Sequence, residues 1–176
     1  MQSAHDSQPQ PSHDRASWRA FRHGEGPSAG FSYNALSYCW GGTRAQNLVT
    51  NLQNLESWKE RIPWDEIPQT VRGTNSITRG LCIRYLWVDT LCIIQDSEED
   101  WEAELGKVAD VYGGAFLTLS APSGADVHAG LPRPLDIEKR KLPLQNDPLY
   151  SRAWALQERM LSPRILIFGS DQLYWE

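Results

Sequence analysis

Histidine is scarce in this chain, and its placement excludes several reactions. Three of the four histidines, His5, His13 and His23, fall in a polar N-terminal segment, and His128 falls in a stretch rich in glycine and proline. None accompanies a candidate strand or helix, so a Ser-His or Cys-His nucleophile pair and a histidine metal cage both lack support. Cysteine is scarce as well. Cys39, Cys82 and Cys92 are an odd number in apolar surroundings, and no paired CxxC spacing occurs. They read as buried free thiols of a reducing compartment, and no zinc site is expected. There is no basic run, and the formal net charge is -5, which argues against a nucleic-acid surface. No apolar run approaches the roughly 20 residues that span a bilayer. The opening "MQSAHDSQPQPSHD" carries acids and no apolar signal core. A cytoplasmic protein that engages neither membrane nor nucleic acid is expected. Any chemistry falls to carboxylates and hydroxyls.

What is present is organised around "FSYNALSYCWGG", Phe31 to Gly42. In an extended strand Phe31, Tyr33, Ala35 and Ser37 lie on one side, and Ser32, Asn34, Leu36 and Tyr38 on the other. Both sides carry aromatic or aliphatic groups, which predicts a largely buried strand. Gly41 and Gly42 stop it. A glycine pair at that point lets the backbone turn sharply or approach a ligand closely; the plainer reading is an ordinary strand and turn. Eight tryptophans are many for 176 residues, and each ring buries roughly 150–250 Å². Trp87 reads as the core residue of a strand and Trp101 as part of a buried helix stripe. Trp40, beside the glycine turn, either packs in the core or stacks on a ligand.

The length suffices for one domain with a real core. Residues 1–30 are polar and without periodicity, a disordered lead-in, which leaves 31–176 as the domain. Asn47 to Thr50 reads as a short extended piece. Leu52, Leu55 and Trp58 recur at three-residue steps, which predicts a short helix ending near Pro63. A second helical segment runs from Pro68 toward Leu81, with Thr70 as its cap. Tyr85 to Val88 is a strand ending at Asp89, and apolar residues continue to Ile94. Ser97 and Asp100 have capping-box spacing, with Gln95 and Asp96 read as part of the same cap. Trp101, Leu105, Val108 and Tyr112 then form one face of a helix closed by Gly113-Gly114. Ala115 to Ala121 is the next strand. Pro122 to Tyr150 is a long connection of the kind that is functional or flexible. Ser151 caps a helix to about Leu161, stopped by Pro163. Ile165 to Phe168 and Gln172 to Trp175 are the last strands. This alternation predicts an α/β fold, a single domain whose mainly parallel sheet is flanked by helices on both faces, with the first strand near its centre. Leu36, Leu86, Val88, Leu105, Val108, Leu117, Leu119 and Ile167 are expected to be buried together.

In open parallel sheets ligands bind beyond the carboxyl ends of the strands. Tyr38 to Gly42, Asp89 and Ser120 fall there. Asp89 either serves a site or caps a turn. Trp154 and Glu158 are four apart and so share a helix face. A carboxylate held against an indole has its pKa raised by desolvation, which suits catalysis. The alternative is that Glu158 pairs with Arg152, Arg159 or Arg164.

"YNALSYCWGG" resembles the opening box of the heterokaryon incompatibility (HET) domain of filamentous fungi. "RYLWVDTLCIIQDSEEDW" and "SRAWALQERMLSPRILIFGSDQLYWE" resemble two later boxes, in the family's order. The resemblance implies an effector of nonself recognition, a form of fungal innate immunity, that triggers programmed cell death. Family members usually continue past the position of Glu176, so a truncated copy is expected. Gly42 and Gly73 stand where the family usually has acids, which implies a lost polar contact at the first and a weaker helix start at the second.

"YNALSY" and the W-x-x-x-E spacing of Trp154 and Glu158 also resemble boxes of TIR domains. That resemblance implies a TIR-like, flavodoxin-like domain in which Glu158 is catalytic at the nicotinamide–ribose bond of NAD, with Tyr38, Trp40, Gly41, Gly42, Asp89 and Trp154 around the substrate. NAD or a related nucleotide would be substrate, and no cofactor or metal is required. TIR domains carry a long loop after their second strand, and no counterpart is legible here. Two readings stay open: an NAD-consuming effector, and a non-enzymatic module that self-associates or binds a partner incompatibility protein.

Overall fold

Alternating side chains that are apolar on both sides make a strand that is stable only inside a sheet with both faces covered. In the computed structural model, which describes residues 31–41, 48–131, 149, 153–169 and 173–176, that strand is β1 (Tyr33–Tyr38). Phe31 and Ser32, read as its start, are exposed and outside it. β1 pairs in parallel with β2 (Tyr85–Trp87) on one side and β3 (Leu117–Ala121) on the other. β3 pairs in parallel with β4 (Ile165–Phe168), and β5 (Leu173–Trp175) lies antiparallel to β4. The sheet order is β2-β1-β3-β4-β5. The first strand is therefore interior, and β3 is central. The fold is α/β, a mostly parallel five-stranded sheet flanked by helices.

The period of two along β1 sorts the core into two layers. Leu36 and Tyr38 face α1 (Leu55–Glu60) and α2 (Gln69–Gly80), and pack with Trp58, Ile67, Val71, Leu86 and Val88. Asn34, buried on the same face, donates from Nδ2 to Thr78 Oγ1 of α2 at 3.1 Å. Ala35 faces the other way and packs with Trp87, Val111 and Tyr112, the last two from α5 (Val108–Gly114). Leu117 and Leu119 cluster with Phe168, and Ile165 with Ile167. The expected core residues are thus buried on two faces rather than together, and Leu105 and Val108 are only half-buried.

The helical stripe drawn through Trp101 and Tyr112 spans two helices. α4 (Glu98–Leu105) ends at Gly106, and α5 begins again after Lys107. The break re-phases the faces. Trp101 is 42% exposed, while Asp100 and Glu104 are buried. Ser97 caps α4 by accepting from the Asp100 backbone N–H at 3.2 Å. Asp100 does not return the bond; its Oδ2 accepts from the Ile94 N–H at 2.8 Å instead. Asp96 serves neither, accepting from the Leu52 N–H at 2.9 Å. Thr70 is not the cap of α2, which starts after Pro68. Its hydroxyl is buried and accepts from the Gly130 N–H at 3.0 Å, tying the segment after β3 to α2. Cys82, expected to be buried, is exposed, with φ of 59°. The lead-in 1–30, Asn47, the cap at Ser151, Gln172 and most of the long connection lie outside the described residues. Among the described residues no helix is long and apolar enough to cross a membrane.

Candidate functional site

The order 2-1-3-4-5 reverses direction between β1 and β3, and doubly wound sheets open a crevice at the carboxyl ends of the strands where that happens. The loop after β1 and the loop after β3 meet at this point. Gly41 has φ of +90°, and a Cβ placed there would come within 2.7 Å of Asp126 Cβ. The close backbone approach expected of the glycine turn is thus made to the chain's own loop after β3. Gly42 lies outside the described residues.

Trp40 and Asp89 are brought into direct contact. The half-buried indole donates from Nε1 to Asp89 Oδ2 at 2.7 Å, while Oδ1 accepts from the Thr90 N–H at 2.7 Å. Asp89 opens the short helix α3 (Asp89–Cys92), which follows β2 after Val88 alone, so there is no long loop at this position. The acid sits in the first turn of α3, whose N-cap is Val88, and ties the loop after β1 to the end of β2. Tyr38 is 4% exposed, and its hydroxyl shares a 2.9 Å hydrogen bond with Thr90 Oγ1. Tyr38, Trp40, Gly41 and Asp89 thus form one group at the carboxyl ends of β1 and β2. Ser120, also marked from the sequence, is buried in β3 and pairs in register with Ser37.

Glu158 reaches β1 from the opposite face. It lies on α6 (Ala153–Leu161) and is half-buried. Its Oε2 accepts from the Ser37 hydroxyl at 2.5 Å, the short end of the range for a hydroxyl on a carboxylate. One turn on, Ser162 Oγ lies 2.7 Å from both Glu158 O and Thr118 Oγ1. A carbonyl only accepts, so the Ser162 proton goes to Glu158 O and Thr118 donates in turn. α6 is thereby pinned to β1 through Ser37 and to β3 through Thr118, the two strands that flank the reversal of order. Arg159 forks onto Glu176, and the Arg164 guanidinium lies 4.5 Å from the Phe116 ring centre. Arg152 and the Trp154 side chain lie outside the described residues.

Reading the sequence missed three participants: Ser37, Thr90 and Asp126. Thr90 follows Asp89 and sits in the first turn of α3, a signal that was available. Ser37 and Asp126 gave none, since their partners lie far away in the chain.

The family model described as heterokaryon incompatibility protein (HET) matches residues 33–143. The match takes in the first two boxes with the Tyr38, Trp40, Gly41 and Asp89 group, and ends before α6 and Glu158. No curated protein and no solved structure matches the chain at a significant level. Covering well over half of the chain, the family match shows that the protein belongs to the heterokaryon incompatibility (HET) family, which suggests a role in heterokaryon incompatibility.

Proposed function

We propose that this protein acts in the cytoplasm as an effector of nonself recognition and triggers programmed cell death by cleaving NAD, or a related nucleotide, at the nicotinamide–ribose bond. The observation that carries the reading is Glu158, a half-buried carboxylate held against β1 where the strand order reverses. As the C1′–N bond breaks, its electron pair returns to the pyridinium ring and neutral nicotinamide leaves. The ribose gains oxocarbenium character, which the Glu158 carboxylate stabilises at close range. Water then adds to C1′ and releases a proton. In this reading the half-buried Trp40, its plane fixed by Asp89, and Trp154 hold the rings and Gly42 admits the phosphates, while the enclosed Tyr38 and Gly41 shape the loop behind them. The test is purified, concentrated protein incubated with NAD while nicotinamide release is followed. No release, even from crowded or tethered protein, gives the ground to a second reading.

That second reading is a non-enzymatic module that self-associates or binds a partner incompatibility protein. Leu156 and Met160, one turn apart on α6, are 60% and 78% exposed, and apolar side chains in that arrangement suit a protein partner.

A further inference from the structure

Ser37 is 3% exposed and is the last residue but one of β1. It is too enclosed to meet a substrate, yet its hydroxyl donates to the side chain of a residue 121 positions away. A glutamate side chain has three rotatable bonds, and one donor from a rigid interior strand removes most of that freedom. The second anchor, Ser162 between Glu158 O and Thr118, fixes the backbone of the same residue to β3.

We propose that Ser37 is the positioning residue for Glu158, holding its carboxylate in one orientation at the β1–β3 crevice. The proposal rests on the NAD-cleaving reading of the site. Its test is steady-state NAD cleavage by Ser37→Ala and Ser37→Thr beside the wild type, with the urea midpoint of each. Ser37→Ala is expected to lose about 10- to 100-fold in kcat, the scale of a hydrogen bond to a charged group. Its KM should stay within about twofold, because Ser37 does not touch substrate. Ser37→Thr keeps the hydroxyl and should recover most of the rate. Should Ser37→Ala fail to fold, Ser37→Cys keeps the shape with a weak donor and should show the same loss. An unchanged kcat in a folded Ala or Cys variant overturns the proposal, as does a folded Thr variant no faster than they are. A wild type that releases no nicotinamide overturns the NAD reading itself. That outcome is distinct from an active wild type indifferent to Ser37, which overturns only the role of Ser37.

Discussion

Gly41 and Tyr33 show how single residues set the terms at the two ends of β1. At φ of +90° an L side chain costs about 1–2 kcal/mol, and at Gly41 the added Cβ would also meet Asp126 Cβ at 2.7 Å. Gly41→Ala should therefore lower the unfolding free energy by at least about 1–2 kcal/mol, read by urea titration. Adding Asp126→Gly should return the clash component and leave the backbone component. At the other end Tyr33 donates to Val111 O at 2.7 Å. Gly114 leaves room for its hydroxyl, which would sit 2.9 Å from a Cβ there. Burial pushes the Tyr33 phenol above its usual pKa, and the Asp110 carboxylate adds to this. The sign follows from linkage. The unfolded chain releases this proton first, near about pH 10, so the contribution is whole below that pH and is lost as pH rises through the folded value. Urea midpoints above about pH 10 should fall faster for the wild type than for Tyr33→Phe. Equal slopes would contradict the burial of the phenol.

At the scale of elements, α4 separates apolar appearance from structural weight. Trp101 is 42% exposed, whereas Asp100 is 6% exposed and holds the buried Ile94 N–H. Asp100→Ala should cost about 1–3 kcal/mol by leaving that donor unsatisfied, and Trp101→Ala less than about 1 kcal/mol. Chemical denaturation of both variants would check the order. The inverse order would restore the single helix stripe. That stripe was legible and misleading, because spacing across Gly106-Lys107 carries no phase once the helix breaks there. The strands were legible for the opposite reason: "YNALSY", "YLW" and "LTLSA" are short, and each carries apolar residues that need no phase across a break. The cap at Ser97 was legible, but the redirection of Asp100 to Ile94 was not, since its competing partner appears only when the segment before the helix folds back.

For the whole molecule, alternation of strands and helices announced a parallel sheet, and only β5 departs from it. Four residues, 169–172, separate β4 from β5, too few for the crossover that a parallel neighbour needs. The antiparallel edge was therefore implicit in the spacing. The site was half legible. Trp40, Gly41 and Asp89 stand beside strand ends in the sequence, and the structure gathers them. The seat of Glu158 was hidden, because Ser37 looks like a small residue in a strand until α6 lies across β1 and β3. The central claim is that this seat serves chemistry, and it is tested most directly by nicotinamide release from NAD by the wild type and by Glu158→Gln at matched concentration. Glutamine keeps the size and removes the charge. The wild type should release nicotinamide, the variant should lose at least about 100-fold in rate, and the urea midpoints should be nearly equal. Release by Glu158→Gln at the wild-type rate, or no release by a folded wild type even when crowded or tethered, would contradict the claim.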